Sequence, residues 1–313
     1  MADLGTTVAS LPRAAILHAA ESDRLQRLVQ QHGKRVGAAR FVAGETLDEC
    51  VAVLRKLNEA GLHANTTLLG EAIPDVAGAA SVTGEYEEIL ERLVTEKLKA
   101  NVALKLTHLG LAFEEEVAYA NIERLVVRAG ELGTFLRIDM EQSDYVDATL
   151  RIYERLRDAG HDSVGTVLQS YLYRTPADLE GLLPRRPNLR IVKGAYLEPD
   201  SIAYPDKRDV DRAYVELVQR GLREGAYIAV ATHDETIIRQ VQAFAAQEGV
   251  SRDRFEFQML YGVRPGLQRS IAADGYKVLV ASPFGPDWYP YLMRRLAERP
   301  ANLGFFLRNL VRR

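Results

Sequence analysis

Residues Val164–Tyr196 read VGTVLQSYLYRTPADLEGLLPRRPNLRIVKGAY. An apolar run, VGTVLQSY (164–171), leads into a helical pattern, and a second apolar run, LRIVKGAY (189–196), follows it. Thr175 stands at the expected N-cap. Pro176 falls in the first turn, where a missing N–H costs nothing. The unit is strand–helix–strand. The near-continuous apolar character of both strands is what a parallel sheet covered on both faces requires.

The same rhythm extends outward. ANTTLLG (64–70), NVALKLT (101–107) and TFLRIDM (134–140) precede this unit. YIAVATH (227–233), FEFQMLY (255–261) and KVLVAS (277–282) follow it. Between them lie amphipathic stretches such as EYEEILERLVTEKLKA, EEEVAYANIERLVVRAGELG and SDYVDATLRIYERLRDAG, the last opening on Ser143 as an N-cap and ending at Gly160. Eight strands alternating with helices predict an α/β fold of the (β/α)8 TIM type, which typically takes about 250 residues. An open doubly wound sheet is the rival, but no Gly-rich dinucleotide fingerprint follows the first strand. The expected division is an N-terminal helical arm over residues 1–62 and a barrel over 63–313. In the arm, TLDECVAVLRKLNEAG has Thr46 as N-cap and Gly61 as stop.

With 313 residues, 47% of them hydrophobic, the chain can bury a large core without disulfides. A net charge of −3 gives no basic footprint for nucleic acid. One cysteine, Cys50, excludes an internal disulfide, points to a reducing compartment and reads as a small buried hydrophobe. No apolar run approaches the roughly 20 residues needed to span a bilayer. MADLGTTVASLPRAAILHAAESD lacks a charged n-region and a cleavage site, so a cytoplasmic location is expected. The C-terminal LGFFLRNLVRR is amphipathic and basic. It is expected to pack on the barrel, with peripheral contact to the inner face of a membrane as the alternative.

Barrel sites are built where the strands end. There the apolar pattern breaks at Glu71, Lys105, Asp139, Gln169, Arg190, Lys193, Tyr196, Thr232, His233, Gln258 and Tyr261. Buried charge is costly unless paired, so its recurrence on nearly every strand points to a ligand. Lys105 and Asp139 lie on neighbouring strands and are expected to pair across the mouth. His18, His32, His63, His108 and His161 read as surface or packing residues. No spacing matches a zinc or iron site, a Walker loop or a nucleophile elbow. In KGAY, Gly194 and Ala195 offer a small surface that a flat ring could approach. Lys193 beside them could stabilise the negative charge that a reduced flavin carries near N1.

KLT, IDME, RIVKGAY, ATHD, FEFQMLYG and YLMRRLAERPAN together resemble proline dehydrogenase in its short, single-activity bacterial form, over about residues 64–310. The resemblance implies a distorted (β/α)8 barrel whose last helix caps the mouth. It implies oxidation of L-proline to Δ1-pyrroline-5-carboxylate, with hydride passing to N5 of FAD and electrons onward to a quinone-type acceptor. A pyrroline-5-carboxylate dehydrogenase would be the partner that takes the product. Arg294, Arg295 and Lys105 would hold the substrate carboxylate, with Asp139 organising the site and Arg190 beside the flavin. Ala195, Tyr196 and Leu260 would line the ring. Met140, Gln169, Lys193, Gly194, Ala195, Thr232 and His233 would touch FAD, and Glu71 would pair with a helix arginine as a gate. Such chemistry needs a neutral amine and close alignment more than a strong base, and the planar fork of arginine suits a carboxylate clamp.

One departure stands out. The family has Tyr two residues before the last-strand Pro, where VLVASPFG has Ala281. The space this leaves, unless Tyr276 or Phe284 fills it, would admit 4-hydroxyproline. A dehydrogenase of another cyclic imino acid and a non-catalytic barrel that binds a small anion are the alternative functions.

Overall fold

The structure is a computed structural model that describes residues 41–298 apart from 71, 72 and 74. Eight parallel strands close on themselves in sequence order. They are β1 His63–Leu68, β2 Ala100–Lys105, β3 Leu136–Asp139, β4 Val164–Gln169, β5 Asn188–Val192, β6 Tyr227–Ala231, β7 Phe255–Leu260 and β8 Val278–Phe284. Each of the expected runs forms a strand. The helices are α1 Leu47–Glu59, α2 Val76–Thr95, α3 Glu115–Glu131, α4 Val146–Asp158, α5 Thr175–Leu182, α6 Lys207–Arg223, α7 Glu235–Gln247, α8 Pro265–Ala273 and α9 Trp288–Glu298.

Helix α1 begins as its sequence implies. Thr46 Oγ1 accepts from the Glu49 N–H at 3.3 Å, and the chain leaves through Gly61 at φ +78°, a left-handed conformation that costs glycine little. Cys50, Val51 and Leu54 of α1 are buried against the barrel. The helical layer therefore already includes part of the expected arm, while residues 1–40 lie outside the described residues. Cys50 is fully buried, and burial pushes its thiol up to about 12, as an inert packing residue requires.

Helix α4 departs from expectation. Ser143 is not its N-cap: residues Ser143–Tyr145 form a 3-10 turn and the helix starts at Val146. The reason is a tertiary contact. The Glu198 carboxylate accepts both the Ser143 N–H and its hydroxyl, each at 2.7 Å. The hydroxyl is thus committed to a partner from beyond β5 and does not turn back on its own helix.

Around the outside, neighbouring helices are joined by arginine–carboxylate pairs. Arg92–Asp48, Arg128–Glu91, Arg151–Glu115, Arg174–Asp147 and Arg220–Glu180 link α1 through α6 in turn. Such exposed pairs contribute little singly.

The interior is unusual for its polarity. Residues in register on parallel strands face the same side. The registers Arg137↔Gly165, Val167↔Arg190, Ala229↔Glu256 and Gln258↔Leu279 place Arg137, Arg190, Glu256 and Gln258 on one face. The hydrogen bonds from Arg190 to Gln258, Asp139 and Asn65, which cross the barrel, show this face to be the interior. Arg137 is buried. It donates to the Thr166 carbonyl at 2.9 Å, to the Asn188 carbonyl at 3.1 Å and to Asn188 Oδ1 at 2.5 Å. Burial, then the Arg190 charge, pulls its pKa down to about 10, so it stays protonated at neutral pH. The glycine at 165 makes room for it, since a Cβ there would lie 2.8 Å from Arg137 Nη1.

Arg137→Met should lower the unfolding free energy by on the order of 3 kcal/mol, because the buried Thr166 carbonyl and two part-buried Asn188 oxygens lose their donor. Glu91→Gln, which breaks one exposed rung, should leave the denaturation midpoint nearly unchanged. Chemical denaturation of both variants checks the contrast, and equal losses would contradict it.

Candidate active site

The C-terminal ends of the strands define the mouth, where barrel sites form. Just inside it lies a polar layer built from alternate strands: Asn65 of β1, Asp139 of β3, Arg190 of β5 and Gln258 of β7. Arg190 is 8% exposed. Its Nη1 donates to Asp139 Oδ1 at 2.6 Å, its Nε to Gln258 Oε1 at 2.6 Å and its Nη2 to Asn65 Oδ1 at 3.2 Å. Asn65 is in turn oriented by Asn101, whose Oδ1 accepts from its Nδ2 at 2.5 Å. A guanidinium so deep in a barrel is tolerable because each bond meets an acceptor, one of them ionic.

Asp139 and Arg190 are therefore brought together as two of the expected site residues. Lys105 and Asp139, expected to pair, are opposite each other in register, and the Asp139 carboxylate accepts from Arg190. Lys105 stands at the end of β2, and its charge favours the ionised form of Glu141. Gln169 is buried and donates to the Glu141 carbonyl at 2.9 Å. Met140 is packed in the apolar core.

The strand-five and strand-six residues occupy the rim. Lys193 does not stand alone beside Gly194 and Ala195. Its ammonium pairs with Asp211 and, at 3.4 Å, with Asp234. Asp234 caps α7 by accepting from the Thr236 N–H at 3.1 Å, and Thr232 Oγ1 accepts from the Asp234 N–H at 3.1 Å. Against burial, which alone would raise it, the Lys193 charge and the Thr236 and Ile237 N–H groups together hold Asp234 below the usual carboxylate range. His233 Nε2 accepts from the Leu260 N–H at 2.9 Å, which puts the imidazole proton on Nδ1.

The Tyr171 ring lies against one side of Gly194: a Cβ there would be 2.2–2.5 Å from it, and φ is +116°. Ala195 is exposed and Tyr196 half-buried beside it. Tyr276 and Phe284 do not fill the space at Ala281. Tyr276 precedes β8 and packs on Phe255 and Phe257 at the opposite end, with ring centroids 5.8 and 5.5 Å away. Phe284 is an odd number of residues from Ala281, so it faces the helices. Ala281 itself is in register with Asn65 and Leu260 on the interior face.

Glu71 and the side chains of Arg294, Arg295 and Glu298 lie outside the described residues. Helix α9, which carries the two arginines, begins just after β8, and Trp288 Nε1 donates to Glu45 Oε1 at 2.9 Å.

Three residues at the mouth escaped the sequence reading. Asn65 is hidden in ANTTL, where only the strand's facing distinguishes it from the neighbouring threonines. Glu141 is buried, with its carboxylate accepting from the Thr107 N–H at 3.2 Å and hydroxyl at 2.7 Å, and burial raises its pKa. His108 is buried, and its Nε2 lies 2.7 Å from the Gly70 carbonyl, so that nitrogen carries the proton. Burial, with Lys105 near, pulls its pKa below the ordinary range despite that bond. Among the described residues, no group of three His, Cys, Asp or Glu side chains is placed to hold a metal ion. No described helix is long and apolar enough to cross a membrane.

A closed parallel barrel with a charged layer beneath its mouth defines a (β/α)8-barrel enzyme. The family model for proline dehydrogenase matches residues 50–308, and the chain belongs to the proline dehydrogenase family, whose members are oxidoreductases. A proline dehydrogenase of Deinococcus radiodurans is 42% identical over 306 residues, spanning 96% of this chain and 98% of the relative. Proline dehydrogenase 1 of Bacillus subtilis is 38% identical over 301 residues, spanning 96% and 99%. Among solved structures, proline utilization A of Bdellovibrio bacteriovorus, inactivated by N-propargylglycine, superposes with a TM-score of 0.79 at 23% identity. The match covers 88% of this chain and about a third (34%) of that larger one, and shows the shared fold.

Gly194→Ala should displace the Lys193–Tyr196 segment and lower stability by roughly 1–3 kcal/mol through backbone strain and the clash with Tyr171. Adding Tyr171→Ala should recover part of the loss in denaturation experiments. An unchanged midpoint for the single variant would show that the turn is not constrained in this way.

Proposed function

We propose that this chain oxidises L-proline to Δ1-pyrroline-5-carboxylate with a bound FAD, and that a quinone-type acceptor takes the electrons onward. The observation that carries the reading is the guanidinium of Arg190, fixed beneath the mouth by Asp139, Gln258 and Asn65. A flavin fits there by charge and by shape. On β6 the interior positions next to this layer are Ala229 and Ala231, and on β8 one is Ala281. The cation thus faces a low apolar wall that larger side chains would fill.

When bound, the flavin supplies the two-electron acceptor. The chain's own residues do the rest. Arg190 places positive charge where negative charge develops on reduction. Met140, Gln169, Gly194, Ala195, Thr232 and His233 would hold the cofactor, and Lys193 would reach it from its acidic pair. Arg294, Arg295 and Lys105 clamp the substrate carboxylate, which aligns the ring for hydride loss from the carbon beside nitrogen. Ala195, Tyr196 and Leu260 border the ring. No base needs to act, provided the amine is neutral. Glu71 holds a helix arginine while the site is empty. The product would pass to a pyrroline-5-carboxylate dehydrogenase, and a membrane quinone would require peripheral contact at the membrane face.

Purified chain supplied with FAD should be yellow and should bleach with L-proline under anaerobic conditions. Failure of the folded protein to bind flavin would sink the reading, and tight carboxylate binding without reduction would favour the anion-binding alternative. Arg294→Met and Arg295→Met should each raise KM for proline roughly ten- to a hundredfold with FAD retained, the loss of a charged hydrogen bond. Unchanged KM in both would remove the clamp.

A second reading concerns ring substituents. Ala281 is interior, and neither Tyr276 nor Phe284 covers it. Trans-4-hydroxy-L-proline should therefore be a substrate as well. Ala281→Tyr should raise the proline-to-hydroxyproline ratio of kcat/KM about tenfold, the discrimination that small steric differences allow. An unmoved ratio would exclude Ala281 as its cause.

A further inference from the structure

The acceptors that hold Arg190 are not chemically equivalent. Asp139 presents oxygen in either orientation of its carboxylate. Gln258 can accept from Arg190 Nε only if its amide is turned with Oε1 inward, and turning it by 180° would present an NH2 group instead. Something must fix that orientation, and Glu256 is placed to do so. It lies two residues earlier on β7, on the same interior face, and is 2% exposed. Its Oε1 accepts from Gln258 Nε2 at 2.5 Å. Its Oε2 accepts from Tyr227 OH at 2.9 Å and pairs with Lys277 Nζ at 2.7 Å.

An ionised carboxylate accepts and never donates. Burial alone would raise the pKa of Glu256, but Lys277, Gln258 and Arg137 outweigh it and hold the group below the usual range. Its acceptor character therefore persists at neutral pH. From Glu256 the polarity runs one way: carboxylate, amide NH2, amide oxygen, guanidinium.

We propose that Glu256 is a positioning residue for the reaction: by fixing the polarity of Gln258 it aims the Arg190 guanidinium, and so tunes the flavin from the far side of the barrel. The proposal rests on the flavin dehydrogenase reading above. Glu256 touches neither substrate nor cofactor in it. Glu256→Gln keeps the shape but presents either oxygen or NH2 to Gln258, and Arg190 loses its assured acceptor. Gln258→Met keeps the volume and deletes the link outright.

The test is an equilibrium dye titration of the flavin midpoint potential in FAD-loaded protein, with wild type, Glu256→Gln and Gln258→Met compared in the presence and absence of Arg190→Met. Both variants should shift the potential negative and slow flavin reduction by proline roughly tenfold, less than deleting a charge-stabilising donor outright. KM for proline should change less than twofold. Neither variant should shift the potential further once Arg190 is methionine. A potential unmoved in both variants, or an equal shift with and without Arg190, would overturn the proposal, because a merely structural role acts independently of Arg190. A wild-type chain that binds no FAD overturns the proposed function together with this inference. A wild-type chain reduced normally beside variants of unmoved potential overturns this inference alone.

Discussion

The polar layer beneath the mouth of this barrel is organised around one buried cation, Arg190. Removing a guanidinium from water carries a penalty of several kcal/mol, and a barrel interior returns it only if the acceptors are already in place. Here they come from strands on every side. Asp139, Gln258 and Asn65 converge on Arg190 from β3, β7 and β1. The consequence is mutual constraint. Changing the twist or register of any one of these strands would carry its acceptor away from the charge. The polar layer thus specifies the geometry of the barrel as much as the apolar core specifies its existence.

Much of this was legible in the sequence, and the boundary is physical. Strands show themselves locally, because a run such as LRIVKGAY needs no knowledge of its neighbours to be read as extended and buried. Helix α1 is local too, with Thr46 and Gly61 marking its ends. Legibility fails where a distant group intervenes. Ser143 looks like a cap until Glu198, 55 residues later, takes its hydroxyl. Gly194 looks open on both sides until the Tyr171 ring is found against one of them. The partners of Arg190 are 51, 68 and 125 positions away. No window of sequence contains them, and choosing Asn65 over the adjacent threonines requires knowing which side of its strand faces inward. Asp139 and Arg190 stood out as polar residues at strand ends from local pattern alone, and the family resemblance added expected roles for them without their geometry.

The outer surface follows a different logic from the interior. Its arginines meet carboxylates one helix away, in water, where each contact is weak and replaceable. The interior arginines meet acceptors that water cannot replace. One residue type therefore serves as loose surface lacing and as a rigid internal fixture, and solvent access separates the two.

The seam between β1 and β8 has a bearing on how the protein comes into being. The segments flanking it are clasped: the Ala43 N–H donates to the Pro283 carbonyl at 2.7 Å and the Gly285 N–H to the Gly44 carbonyl at 3.0 Å. These contacts join regions some 240 positions apart, so ring closure waits until β8 has been synthesised. A nascent polypeptide still on the ribosome would hold β1 to β7 as an open sheet with an unpaired edge, Asn65 on one border and Gln258 on the other. The anchoring of Arg190 from both borders then waits for β8 to pair with β7 and β1 and close the ring.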